Sequence, residues 1–258
     1  MAAAMQLGGL ATGRSPRGRF LSSSLPVVGP SWLAAAERAA VARIEALRRR
    51  LLASEETFET IDYGAGEPRL DLAAQEMAAG RRFRARVGEI CATRSKSVEE
   101  GILLFRLVRL LRPQRCLELG SGLGVSTAFI AAALRLNRKG LLVSLEGCPE
   151  LARMAQENLA GLGLRRAEIV NARFQDALPE LLRSRHFDFA YIDGHHDREA
   201  TQAYVGQLTA TGTHDMAIVI DDIGWSAGMR QAWARIAESE QVAAAGSCNG
   251  FGLCFTRA

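Results

Sequence analysis

Lysine is nearly missing from this 258-residue chain: of 32 basic side chains, only Lys96 and Lys139 are lysines. The formal net charge is only +4, and the arginines are scattered rather than striped, so a nucleic-acid footprint is not favoured. No apolar run approaches the roughly 18–20 residues of a membrane span. The five cysteines, Cys91, Cys116, Cys148, Cys248 and Cys254, show no C-x-x-C spacing. An odd number of thiols, several in apolar runs, fits a reduced, cytoplasmic protein better than a disulfide framework. No acidic residue precedes Glu37. Residues 1–30, rich in Ala, Gly, Ser and Arg, read as a disordered leader, with an organelle-targeting peptide as the alternative.

What is present is a large apolar fraction, 48% of residues, enough for a sizeable core. The length suits one large domain with an appendage. The pattern turns on Cys116-Leu117-Glu118-Leu119-Gly120-Ser121-Gly122-Leu123-Gly124-Val125-Ser126-Thr127. A short apolar run breaks into glycines at alternate positions, then becomes a long apolar helical pattern. Strand, tight turn and helix follow from that order. Glycines let the backbone turn sharply and approach a ligand, and a helix N-terminus offers free N–H donors. The spacing is G-x-G-x-G, not the G-x-G-x-x-G of dinucleotide sites, and Glu118 sits inside the strand. At this point a nicotinamide and another adenosyl cofactor both remain open.

Around this stretch the chain divides into a leader (1–30), a helical extension or lid (31–100) and a ligand-binding domain (101–258). Ser31 is placed to cap a helix running to about Ser54. Thr60–Pro68 reads as a loop, and Leu70–Thr93 as broken helix. Ser97–Leu111 is an amphipathic helix ended by Pro113. Strands are expected at Arg115–Leu119, Gly140–Leu145, Ala167–Asn171, Phe187–Ile192 and Met216–Ile220, each followed by a helix. Two short runs around Asn249-Gly250 form a closing hairpin. This predicts an α/β fold, Rossmann-like and doubly wound. Its seven-stranded sheet is mostly parallel, with a C-terminal antiparallel hairpin and an N-terminal helical extension.

Ligands of such sheets bind outside the C-terminal strand ends. The second strand ends in Glu146, placed to accept both hydroxyls of a ribose. The third leads into Asn171–Asp176, where an adenine ring would lie, so Phe174 and Asp176 are candidates. The fourth ends in Asp193-Gly194-His195-His196 and the fifth in Asp221-Asp222. Three carboxylates cannot share a small site uncompensated. A hard divalent cation such as Mg²⁺ on Asp193, Asp221 and Asp222 resolves the conflict. His196 is the candidate general base, ahead of His195, while His186 and His214 read as surface residues. Asp62-Tyr63-Gly64-Ala65-Gly66 and Arg94-Ser95-Lys96-Ser97 are placed to fold over the cofactor, and Trp225 to line the substrate pocket.

Glu118–Thr127 with Glu146 resembles the class I S-adenosylmethionine-dependent methyltransferases. Tyr191–His196 and Ile220-Asp221-Asp222 are similar to signatures of the metal-dependent O-methyltransferases, of macrolide-sugar type and a related bacterial subgroup. The catechol and caffeoyl-coenzyme A enzymes usually have Asp-Asn where this chain has Asp221-Asp222. The resemblance covers about Leu104 to Phe255. It implies that Gly120, Ser121, Gly122 and Gly124 wrap the methionine part of S-adenosyl-L-methionine, with Ser126 beside them. Glu118 would orient the amino group, directly or through water, and Glu146 would bind the ribose. Asp193, Asp221 and Asp222 would hold Mg²⁺, and His196 or Asp193 would take the proton from a small-molecule hydroxyl. Rival readings are a nicotinamide-dependent oxidoreductase and a non-catalytic S-adenosylmethionine-binding module. The helix starting at Ser31 is a candidate homo-oligomer contact.

Overall fold

A computed structural model describes residues 33–66, 72, 74–213 and 215–257. The leader at 1–30, the Ser31 cap and His214 lie outside them. The extension comprises α1 (Ala35–Leu52), β1 (Thr57–Asp62), α2 (Ala74–Ala79), β2 (Arg81–Arg86) and α3 (Val87–Arg94). The domain follows as α4 (Val98–Leu111), β3 (Arg115–Leu119), α5 (Val125–Asn137), β4 (Leu141–Glu146), α6 (Pro149–Leu162), β5 (Ala167–Asn171), α7 (Phe174–Ser184), β6 (Phe189–Ile192), α8 (Arg198–Thr209), β7 (Ala217–Ile220), α9 (Ala227–Ala237), β8 (Val242–Cys248) and β9 (Phe251–Thr256).

The seven-stranded sheet runs β5-β4-β3-β6-β7-β9-β8. Its first five strands are parallel, and β9 pairs antiparallel with both β7 and β8. The architecture expected from the β-α alternation is therefore present. Successive residues of a strand face opposite sides of the sheet. On one side Cys116, Phe189, Tyr191, Ala217 and Val219 join a core shared with α1, α4, α5 and α6. On the other side Leu117, Leu119, Ala190, Ile192, Ile218 and Ile220 meet α7, α8 and α9. Both faces are covered, which explains why the central strands are apolar throughout.

The extension has the expected N-terminal helix and adds a two-stranded sheet not expected from the sequence. β1 and β2 pair antiparallel, Thr57 opposite Arg86 and Asp62 opposite Arg81. In β1, Phe58 and Thr60 point inward while Thr57 and Glu59 stay exposed. β2 carries four arginines in six residues, so its apolar signal is too weak to separate from broken helix. α1 packs onto the domain through Val41, Ile44, Leu47 and Leu51. α4 is closed by a reciprocal cap in which Ser97 Oγ accepts from Glu100 N–H and the Glu100 carboxylate accepts from Ser97 N–H. No helix of the described residues is long and apolar enough to cross a membrane. All five cysteines are free, and Cys91, Cys116, Cys148 and Cys254 are buried.

Phe129 of α5 is fully buried, and its ring fills the space where Gly101 of α4 lacks a side chain. Phe129→Ala should leave a void between the two helices and cost about 3–5 kcal/mol, measured as a lower urea midpoint at unchanged slope.

Candidate functional site

A cleft of about 400 Å³ opens at the C-terminal ends of the parallel strands. Its walls come from the Gly loop, from Glu146 and Gly147, from Asp193–His196, from Asp222 and Trp225, and from the extension segments 61–66 and 93–96. Strand register explains its floor. Ser144 of β4, Glu118 of β3 and Tyr191 of β6 are direct cross-strand neighbours. They form a buried polar row on one sheet face.

The Gly loop is held by its own protein. Gly120 and Ser121 N–H donate to Leu145 C=O at 2.9 and 3.3 Å, and Gly124 N–H donates to Ser121 C=O at 2.7 Å. Gly122 N–H donates to Glu146 Oε2 at 2.8 Å. None of these four donors is left for a pyrophosphate, which separates the loop from a dinucleotide cradle. Gly120 has φ +106°, and a Cβ there would lie 2.0 Å from the Asp193 carbonyl oxygen. Only glycine permits that approach between β3 and β6.

Beneath the loop Glu118 is fully buried. Its Oε2 accepts from Thr127 Oγ1 and Ser144 Oγ, both at 2.6 Å. Its Oε1 is buried without a hydrogen-bond partner. Burial pushes its pKa up, and the Ser144 and Thr127 hydroxyls oppose the rise. The lone oxygen is an unfilled acceptor that a cationic or amino donor, or a water carrying one, would satisfy. Glu118 and Gly124 are not cleft-wall residues; they brace the loop from below. Glu146 Oε1 accepts from Cys148 N–H at 2.9 Å. Burial raises Glu146 to about 7 against the lowering effect of the Cys148 and Gly122 N–H groups.

At the other end of the cleft, Tyr191 Oη donates to Asp221 Oδ2 at 2.7 Å and lies 3.0 Å from Asp193 Oδ2. Lys96 Nζ is hydrogen-bonded to Asp221 Oδ2 and lies 3.7 Å from Asp193 Oδ1. Burial opposes the charge on Lys96, but Asp193 and Asp221 together hold its pKa above the ordinary value. Burial and the Asp221 charge push Asp193 up, whereas Asp221, buried too, is held down by Lys96 and its hydrogen bonds. His196 Nε2 stands 3.8 Å from Asp193 Oδ1 and 3.9 Å from Asp222 Oδ2. Burial lowers its pKa, favouring the neutral base. Its ring lies against Trp225, with centroids 5.7 Å apart. His195 points elsewhere, its Nδ1 2.7 Å from Tyr204 Oη and its ring edge-on to Phe174. His195, His196 and Asp222 all adopt left-handed backbone, at φ +64°, +46° and +52°, a concentration of strain at one edge of the sheet.

The structure thus gathers Gly120, Ser121, Gly122, Ser126, Glu146, Phe174, Asp193, His196 and Asp222 around one cleft. It does not bring Asp176 there: that side chain is exposed and paired with Arg173 at 2.8 Å. It also splits the three-aspartate set. Among the described residues, the group able to share a metal is Asp193, His196 and Asp222; Asp221 Oδ2 is engaged by Lys96 and Tyr191. Lys96 and Tyr191 carry roles that motif reading did not assign. The available signal for Lys96 was its rarity.

Residues 117–223 match the Methyltransf_24 family, described as a methyltransferase domain. Over those residues the chain is similar to a methyltransferase domain. A catechol O-methyltransferase of Niastella koreensis is 36% identical over 102 residues, covering 38% of this chain and 45% of that protein. The chain spans less than half the length of the curated relatives it matches. The O-methyltransferase TomG from Streptomyces achromogenes, involved in tomaymycin synthesis and solved with SAM, superimposes with TM-score 0.56 at 25% identity, covering 64% of this chain and 82% of that one. An O-methyltransferase from Bacillus cereus solved with SAH shares the fold at TM-score 0.55 and 18% identity, over 93% and 96% of the two chains. In this chain β3 leads into the loop, and β6 and β7 lead into the acids.

Tyr191→Phe would remove the donor shared by Asp193 and Asp221, leaving Asp193 Oδ2 without it while Asp221 Oδ2 keeps Lys96. A loss of about 2–3 kcal/mol is expected, read by chemical denaturation; an unchanged midpoint would show that the hydroxyl contributes nothing there.

Proposed function

We propose that this protein transfers a methyl group from S-adenosyl-L-methionine to a hydroxyl of a small molecule. The observation that carries this reading is the shared cleft. The Gly loop with Glu146 lies at one end, and a neutral imidazole beside carboxylates lies at the other. Its volume lies within the range of small-molecule sites. The relatives named for O-methylation, and a neighbour solved with SAM, support the same reading.

When bound, S-adenosylmethionine supplies an electrophilic methyl group, whose bond to sulfur breaks as the bond to the acceptor oxygen forms, the electron pair staying on sulfur. The chain's own residues hold and align. Glu146 accepts from the ribose hydroxyls with the lone pairs left by Gly122 and Cys148. Glu118 Oε1 accepts from the amino group, through water where the loop intervenes. Phe174 borders the purine side. His196 Nε2 takes the acceptor's proton, and Asp193 and Asp222 stabilise the imidazolium that results. Alignment of oxygen, carbon and sulfur is mainly a proximity effect.

A second reading adds a divalent ion, and the Asp193–His196–Asp222 group favours it. Those residues would be its ligands, and the ion would supply Lewis acidity toward the acceptor oxygen. The ammonium of Lys96 beside Asp193 opposes it.

Incubation with S-adenosylmethionine and a panel of catechols, phenols and sugars should yield S-adenosylhomocysteine and a methyl ether. His196→Ala should lower kcat by roughly 10²–10⁴-fold with S-adenosylhomocysteine affinity nearly unchanged. Failure of calorimetry to detect S-adenosylhomocysteine binding would overturn the reading.

Glu146 gives a pH signature. Ribose hydroxyls donate to the ionised carboxylate, so binding favours the deprotonated form. Affinity for S-adenosylhomocysteine should rise as pH increases through about 7 and level off above it. Glu146→Gln should weaken binding and flatten that profile. A wild-type affinity independent of pH between 6 and 8 would remove Glu146 from the ribose contact.

A further inference from the structure

The acid pair already has a cation. Asp193 and Asp221 end adjacent parallel strands, and Lys96 Nζ sits between them, bonded to Asp221 Oδ2 and 3.7 Å from Asp193 Oδ1. Tyr191 Oη approaches both acids from the sheet, at 3.0 and 2.7 Å. The Lys96 side chain is 10% exposed. Its position is braced from two sides: Arg48 Nε of α1 donates to Lys96 C=O at 2.9 Å, and Ser97, the next residue, caps α4.

We propose that Lys96 is the built-in cation of the acceptor site, taking the place of a divalent ion by neutralising the Asp193–Asp221 pair and donating to the acceptor oxygen. This deepens the methyl-transfer reading and rests on it. An ammonium has three donors. One is bonded to Asp221, Asp193 lies 3.7 Å away as an ion-pair partner, and Lys96 lines the cleft, which leaves a donor for a substrate oxygen. As the acceptor loses its proton to His196, negative charge grows on that oxygen, and a fixed ammonium stabilises it without reorganisation. A metal on Asp193, His196 and Asp222 would share Asp193 Oδ1 with the ammonium. Two cations so close repel strongly in a site that water screens poorly.

The residue type supports the assignment. The chain uses arginine almost everywhere, and its other lysine, Lys139, is exposed. A compact point charge fits between two carboxylates and still presents a donor, whereas a planar guanidinium holds its donors in a fixed fork.

The test uses Mn²⁺ as the probe, with free ion counted by electron paramagnetic resonance in the presence of S-adenosylhomocysteine. Wild-type protein should leave Mn²⁺ free at sub-millimolar concentration. Lys96→Gln should expose the acids and bind it at least about tenfold more tightly, and Lys96→Arg, which keeps the charge, should not. Tight wild-type binding of Mn²⁺ that Asp222→Asn abolishes would overturn the proposal. The wild-type arm decides even where Lys96→Gln does not fold. In turnover, chelator-treated wild type should keep its rate. Lys96→Gln should lose kcat by roughly 10²-fold, with KM for S-adenosylmethionine little changed and partial rescue by Mg²⁺. Loss of wild-type rate on chelation, restored by Mg²⁺, would also refute it. The Mn²⁺ measurement needs no acceptor, so it separates failure of this assignment from failure of the methyl-transfer reading.

Discussion

Two neighbouring parallel strands that each end in an aspartate force like charges together, and this end of the cleft is arranged around relieving that repulsion. The hydrogen-bond register of β6 and β7 sets Ile192 beside Ile220, so Asp193 and Asp221 follow side by side. Neither can turn away, because each strand is buried on both faces. Relief has to come from outside the sheet. Lys96 brings it from the junction of the extension and α4, and Tyr191 adds a donor from within. The extension is therefore part of the site's electrostatics as well as its cover. Without α1 behind it, the Lys96 backbone would lose the Arg48 bond that fixes its approach.

The polar row across the sheet serves the opposite end in a related way. Ser144, Glu118 and Tyr191 occupy one register line inside an otherwise apolar face. Each carries hydrogen bonds, so the cost of burying them is largely offset. The exception is Glu118 Oε1, beneath a loop in which the Gly120, Ser121, Gly122 and Gly124 N–H groups are engaged.

Much of this was legible in the sequence, for identifiable reasons. Buried parallel strands leave continuous apolar runs, and glycine or acid punctuation marks their ends. That is why the sheet, Glu146, Asp193, His196 and Asp222 could be placed from spacing alone. The two-stranded β1–β2 sheet could not, because the outward positions of β2 hold arginine and its inward ones hold only Phe83 and Ala85. Asp176 misled because proximity in sequence to the end of β5 does not fix where a side chain points, and a local partner, Arg173, captured it. Lys96 is 97 residues from Asp193 in the chain. No periodicity reports a contact of that range, and its only mark was being a lysine among arginines.

A backbone hydrogen bond joins the extension to the histidine turn: Ala65 N–H donates to His195 C=O at 2.8 Å. The covering segment and the loop that carries His195 and His196 are thereby hitched together. Any motion that lifts residues 62–66 to admit or release a molecule must either break that bond or drag the strained histidine turn along with it. Opening of the cleft and the shape of its histidine turn are therefore coupled.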